Sequence, residues 1–351
     1  MKIKAEAIIK DNELKPFEKD GVSTFTKKSG EDFVIMQITD VHIGGGFLSA
    51  KKDKMALSAV RDLISYAKPD LVVVTGDVSY PIPFSSGTVN NMRPAKWFGK
   101  LMEQLKVPWA MVYGNHDCES FSTHKKSKLS AYYESLGSCL FKKGSCKTGE
   151  GNYVIRLENA DGTLNNLLVM FDSNSYETSS FFSGFDTVHR DQLEWYESEV
   201  KKHCVNGEPQ LVFQHIPLRQ YRTAWWALQS GDESVKYHVG AVCEKDQYFG
   251  IPCREGGEFD CLRLNGAKGV FAGHDHLNTV SLTYKGIRLT YGMSIDYLAY
   301  FKISKVKNQR GATLINIRDD GSFDVKLLPL TTVRGEEKGG RLRFNNDCKE
   351  D

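Results

Sequence analysis

The sequence predicts an α/β protein built on a parallel sheet, and three observations carry that prediction. Apolar runs at 33–39, 71–75 and 107–113 alternate with segments of helical spacing, the order a parallel sheet requires. Each run leads into a polar signature: Asp40-Val41-His42, Gly76-Asp77 and Gly114-Asn115-His116-Asp117. Beyond residue 150 the pattern changes to apolar runs paired through turns, which marks a second, antiparallel part.

Taken in order, residues 1–30 are polar and weakly patterned. They read as a peripheral extension in which Ile8-Ile9 and Val22-Ser23-Thr24-Phe25 form short edge strands. Phe33–Thr39 is the first strong strand. Gly44-Gly45-Gly46 follows it and lets backbone pass close to a ligand, although the Lys-Ser/Thr of a P-loop is missing. Met55–Ala67 repeats Ala56, Val60, Leu63, Ile64 and Ala67 at helical spacing until Pro69 stops it. The strand Leu71–Thr75, the loop Pro81–Asn91 and a helix opened by Pro94 come next. Residues 123–137 read as an exposed helix, and Tyr153–Leu157 and Leu167–Phe171 as strands joined around Asp161-Gly162. Leu193, Tyr196 and Val200 share one helix face, and Leu211–Gln214 is a strand that delivers His215. Residues 216–262 read as a long turn-rich segment of the kind that often builds part of a site. The strand Gly269–Ala272 leads into Gly273-His274-Asp275-His276. Four further strands close the chain at 280–284, 287–291, 312–317 and 323–328. The simplest organisation is one domain over 31–332, with the extension before it and a loose charged tail at 333–351.

Composition excludes several classes. The 46 Lys and Arg nearly balance the 44 Asp and Glu, so charge gives no reason to expect nucleic acid or an anionic membrane surface as partner. No apolar run of ~20 residues exists to span a bilayer. The first residues carry charges where a signal peptide needs an apolar core, which points to a cytoplasmic chain. None of the eight cysteines forms a Cys-x-x-Cys pair, so free thiols are expected. Cys243, Cys253 and Cys261 are close enough in sequence to make a metal or disulfide cluster the alternative.

Taken singly, each polar signature is an ordinary turn or cap. Five of them, mostly at strand ends, supply two Asp, one Asn and four His, enough for two metal ions, with His116 left over. Carboxylate and imidazole donors suit Mn, Fe or Zn. Asp77 lies between the other clusters in chain order and has two oxygens with which to bridge two ions. His274 and His276 are two apart, so a loop must turn both inward or each must serve a different ion. Two ions ~3.5–4 Å apart can clamp a phosphoryl group and supply hydroxide near neutral pH. His116, adjacent to a ligand, can protonate the departing oxygen.

The order Asp-x-His, Gly-Asp, Gly-Asn-His-Asp, lone His, Gly-His-x-His, running from Asp40 to His276, resembles the calcineurin-like metallophosphoesterase superfamily. The resemblance implies a four-layer α/β/β/α sandwich of two mixed sheets with flanking helices. It implies one ion on Asp40, His42, Asp77 and His276, a second on Asp77, Asn115, His215 and His274, and His116 as leaving-group acid or phosphate stabiliser. Gly76-Asp77-Val78-Ser79-Tyr80 and Phe213-Gln214-His215-Ile216-Pro217-Leu218 are similar to the purple acid phosphatase-like branch. True purple enzymes have Gly where this chain has His42, and their Tyr binds ferric iron. Tyr80 here is therefore expected to pack or to support a ligand. The implied activity is hydrolysis of phosphate esters, small or on a phosphorylated partner, with monoesters favoured. A phosphodiesterase or nuclease would use the same metal core, and a non-catalytic scaffold would be expected to have lost ligands or His116. Asp117, Asn90, Asn91, Arg93, Arg219, Tyr221, Arg222, Trp225 and Trp226 are candidates for substrate contact or support.

Overall fold

The apolar runs become strands of two sheets in a computed structural model that describes residues 5–7, 14–177, 183–300 and 309–336. The chain opens with β1 (Phe17–Lys19) and β2 (Val22–Thr26). Then come β3 (Phe33–Ile38), α1 (Ala50–Ala67), β4 (Leu71–Thr75), α2 (Pro83–Ser86), α3 (Met92–Leu105), β5 (Trp109–Val112) and α4 (Lys126–Glu134). The second half runs β6 (Tyr153–Glu158), β7 (Leu164–Met170), β8 (Tyr176–Glu177), β9 (Gly184–Phe185), α5 (Arg190–His203) and β10 (Gln210–Phe213). It continues α6 (Arg219–Gln229), β11 (Lys236–Val239), α7 (Glu258–Leu264), β12 (Ala267–Ala272), β13 (Ser281–Tyr284) and β14 (Ile287–Tyr291). It closes with β15 (Gly311–Ile317), β16 (Phe323–Pro329) and α8 (Leu330–Val333).

Five strands form one sheet in the order β16-β15-β3-β4-β5, with β3, β4 and β5 parallel as the sequence predicts. Nine strands form the other, β1-β2-β6-β7-β10-β12-β14-β13-β11. Side chains of β7 alternate between two cores. Leu168 and Met170 join the core between the sheets, while Leu167 and Val169 join the core under α5, α6 and α7. Helices α1 and α3 cover the far side of the small sheet through Val60, Leu63, Phe98 and Met102. The result is the four-layer α/β/β/α sandwich of two mixed sheets.

Three expectations change. The second part is not antiparallel throughout: β7, β10, β12 and β14 are mutually parallel, because α5 returns the chain from β7 to β10, α6 and α7 from β10 to β12, and β13 from β12 to β14. Residues 216–262 are more ordered than their turn residues suggested and contain α6, β11 and α7. The strand at 22–25 is no sheet edge, since β2 lies between β1 and β6 and Phe25 is fully buried. Ile8-Ile9 and the tail beyond 336 lie outside the described residues.

Candidate metal centre

The carboxyl ends of β3, β4 and β5 meet those of β10 and β12, and the five polar signatures of the sequence sit on those ends. Backbone pairing draws the loops together: Asp40 N–H donates to the Gly76 carbonyl, His42 N–H to that of Asp77, and Gly273 N–H to that of His215. Asp40, His42, Asp77 and His274 all take left-handed backbone angles, with φ of 52°, 49°, 54° and 78°. Such conformations cost energy in non-glycine residues and concentrate at functional sites.

Two groups of ligand atoms result. In the first, His42 Nε2 lies 4.0 Å from Asp40 Oδ1 and 3.1 Å from Asp77 Oδ2, and His276 Nε2 lies 3.5 Å from Asp40 Oδ1. In the second, His215 Nε2 lies 3.2 Å from Asp77 Oδ2, 3.1 Å from Asn115 Oδ1 and 3.3 Å from His274 Nδ1. Asp77 Oδ2 faces both groups. His274 and His276 serve different groups, because Asp275 between them turns away to accept the Tyr291 hydroxyl and the Gly250 N–H. The converging atoms are nearly all acceptors, and Asp40 Oδ1 is buried without a hydrogen-bond partner. An orphaned carboxylate oxygen among imidazole and amide donors fits a hard or borderline cation.

Without a cation, the cluster draws in protons instead. Burial pulls His42 down, but Asp296 and Asp77 outweigh it and raise the imidazole to about 9. Burial likewise opposes His215, and Asp77 and Asp40 lift it to about 9. Burial and the neighbouring His215 push His274 the other way, to about 3.

The residues that brace the groups were not singled out in the sequence. Asp296 lies 3.3 Å from His42 Nδ1 and 3.3 Å from His276 Nδ1, so one carboxylate backs both imidazoles of the first group. A carboxylate behind a ligating imidazole fixes its tautomer and raises its basicity. In the second group the braces are neutral. His215 Nδ1 donates to the Thr75 carbonyl at 2.8 Å, and Asn115 Nδ2 donates to the Tyr176 hydroxyl at 2.8 Å, which leaves Asn115 Oδ1 facing inward. His116 has a ring nitrogen within 4.8 Å of ligand atoms of His42 and Asp77, and its Nδ1 is 2.6 Å from Glu119 Oε1. Asp296 lies in the irregular stretch after β14, and Glu119 follows the Gly-Asn-His-Asp turn; neither carries a motif.

Residues 33–278 match the family model for the calcineurin-like phosphoesterases. The chain belongs to that family. It is 26% identical over 303 residues to the Arabidopsis thaliana protein named "Probable inactive purple acid phosphatase 28", covering 76% of this chain and 71% of that one. It is 28% identical over 289 residues to "Phosphatase DCR2" of Saccharomyces cerevisiae, 74% of this chain but only 47% of the yeast protein. A solved dimetal phosphatase from Danio rerio shares the fold at a TM-score of 0.57 and 15% identity, over 86% of this chain and 97% of that one.

The remaining candidates of this calcineurin-like chain take structural positions. Tyr80 packs its ring 4.9 Å from that of His42 and 4.8 Å from that of His116. Asp117 is buried and accepts N–H groups of Asp77, Ser79 and Gly114, tying two strand-end loops together rather than facing a substrate. Asn91 is buried and spends its amide on the carbonyls of Asp117 and His124, while Asn90 caps the Arg93 N–H. Arg93 donates to the Gly45 carbonyl. Arg219 donates to the Pro252 carbonyl. Tyr221, expected to support or touch substrate, is instead a core residue whose hydroxyl donates to the Val270 carbonyl under the sheet. Trp225 is buried in the same core, and Arg222 stacks on the exposed Trp226. The Gly44-Gly45 N–H groups are taken by the Asp53 carboxylate and form no phosphate cradle. Cys243 is disulfide-bonded, contrary to the expectation of free thiols, whereas Cys253 and Cys261 are free, so the three make no cluster. No helix among the described residues is long and apolar enough to cross a membrane.

Proposed function

We propose that this chain hydrolyses phosphate esters at a pair of metal ions, monoesters in preference to diesters. Asp40, His42, Asp77 and His276 would hold one ion, and Asp77, Asn115, His215 and His274 the other, with Asp77 shared. The donor set suits Mn, Fe or Zn. When bound, such a pair supplies electrophilic pull on a phosphoryl group and acidifies water.

The observation that supports this reading best is the convergence of carboxylate, amide and imidazole ligand atoms on Asp40 and Asp77, with Asp40 Oδ1 buried and making no hydrogen bond. His116 then has a defined task. Glu119 occupies Nδ1 and orients the ring, which leaves the other nitrogen to pass a proton to the departing alkoxide. The nearly balanced charge of the chain fits a small ester better than a long nucleic acid.

Turnover of p-nitrophenyl phosphate and bis-p-nitrophenyl phosphate, each with and without Mn²⁺, tests the proposal. Metal-dependent hydrolysis with the monoester faster is the expected result. A faster diester overturns the substrate preference. No turnover of either, with Mn, Fe or Zn supplied, leaves a scaffold.

A further inference from the structure

A cluster of cations lies behind the stretch that carries Asp296. A cavity of about 1000 Å³ is lined by Lys51, Lys52, Tyr297, Arg310, Arg334 and Glu336, among others, and by none of the seven proposed ligands. Four of these six residues are cationic. The Arg334 guanidinium is committed to the Asp62 carboxylate, and Glu336 is an exposed acid at the rim.

Arg310 is the group that needs explaining. Its residue is only 8% exposed. Its Nε donates to the Asp296 carbonyl at 2.8 Å, and its guanidinium lies 4.0 Å from the Tyr297 ring centroid. The two remaining amino groups meet no acceptor among the described residues. The Asp296 carboxylate attracts this charge but makes no hydrogen bond to it, because it turns its oxygens to His42, His276 and the N–H groups of Leu298, Ala299 and Tyr300. A guanidinium held by one carbonyl and one ring keeps its two amino groups for whatever enters the cavity it lines.

The lysines repeat the message from another element. Lys51 and Lys52 stand in the first turn of α1, an 18-residue helix whose Ser49 N-cap makes no side-chain cap bond. Cations are disfavoured at that end of a helix, where the macrodipole is positive. The acid of that turn, Asp53, spends its carboxylate on Gly44 N–H, Gly45 N–H and the Ser49 hydroxyl. A largely buried arginine with two amino groups left to the cavity and two lysines at a positive helix end therefore line one cavity.

We propose that this cavity binds a small anion carrying two or more phosphoryl groups, with Arg310 as the buried anchor and Lys51 and Lys52 at the mouth. Charged guanidinium and ammonium donors converging from two elements suit such a ligand better than a single carboxylate.

Calorimetric titration of the metal-loaded full chain with methylenediphosphonate, whose P–C–P linkage resists hydrolysis, tests this by stoichiometry. The wild-type chain should take up one equivalent more than K51E/K52E. Arg310→Met should weaken that same equivalent by about tenfold or more, the loss of a charged hydrogen-bonding partner. Lys51 and Lys52 are exposed, so K51E/K52E is expected to fold and decides the matter if Arg310→Met does not. Equal stoichiometry and affinity in wild type and K51E/K52E would overturn the proposal. The comparison is a difference between two chains, so it holds whether or not the metal cluster itself takes up an equivalent or supports hydrolysis.

Discussion

The two halves of the candidate metal centre are built from similar side chains but braced by opposite electrostatics. Behind the first half stands a full negative charge, Asp296, against both His42 Nδ1 and His276 Nδ1. Behind the second stand a carbonyl, that of Thr75, and a phenol, that of Tyr176. A carboxylate brace makes an imidazole a stronger donor than a neutral brace does. The first half should therefore hold its ion more tightly and accept a higher ionic charge, and the second should lose its ion first on dilution or chelation.

The largest effect is expected where the halves join. Asp77 Oδ2 lies 3.1 Å from His42 Nε2 and 3.2 Å from His215 Nε2. Asp77→Asn should cut affinity at both positions by ~100-fold or more, read as metal per chain after dialysis. Retention of two full ions would show that the halves do not share this carboxylate. Next comes His116→Ala, which should keep both ions and the fold while kcat falls by roughly 10²–10⁴. Unchanged turnover would remove His116 from proton transfer.

Asp296→Asn tests the asymmetry directly. It keeps the shape and removes the charge, so the first ion should weaken by ~10–100-fold while the second is unaffected. Equal weakening of both would mean that Asp296 organises the cluster as a whole.

Proton release offers an independent check. In the absence of cations His42 is raised to about 9 and His276 well above the ordinary imidazole value, in each case because Asp296 and a cluster carboxylate outweigh burial. In the second half only His215 is raised, to about 9, and His274 is lowered to about 3. A raised imidazole contributes stability that is full below its unfolded pKa, ~6.5, and is lost as pH climbs through its folded value. The metal-free chain should thus melt progressively lower from pH 6.5 to 9, and added metal should raise Tm more at pH 9 than at pH 6.5. Filling the first half should release more protons than filling the second. Tm gains independent of pH would contradict the protonated state of the empty cluster.

Much of this was legible in the chain because strand ends announce themselves. Asp40, Asp77 and Asn115 each follow an apolar run, and alternating order fixes those runs as neighbours in a parallel sheet. His215 and His274 follow runs of the same kind. Asp296 follows Tyr291, also a strand end, but at five residues' remove through an irregular stretch, where an aspartate has no distinguishing spacing. Tyr221 failed in the other direction. Its nearness in sequence to His215 suggested a place at the site, yet α6 turns it onto the buried face of the sheet, a tertiary outcome that spacing does not encode. Spacing shows 216–262 only as a turn-rich insertion, because its helices are short and packing under the large sheet rather than intrinsic pattern stabilises them.

The smallest expected effect separates bracing from ligation in the second half. Tyr176 is 42% exposed, so water competes for its hydroxyl. Removing a solvent-accessible neutral hydrogen bond costs about 1 kcal/mol, or roughly fivefold. Tyr176→Phe should therefore weaken only the second ion, by a few-fold, because the Asn115 amide loses the partner that points Oδ1 inward. His116 keeps its contact with Glu119 in this variant, so kcat at saturating metal should hold. A kcat loss as deep as that of His116→Ala would mean instead that the Tyr176 hydroxyl, which also donates to Glu119 at 3.3 Å, governs the proton-transfer pair. The neutral brace would then belong to the chemistry as much as to the metal, and the contrast between the two halves would be one of function rather than of affinity.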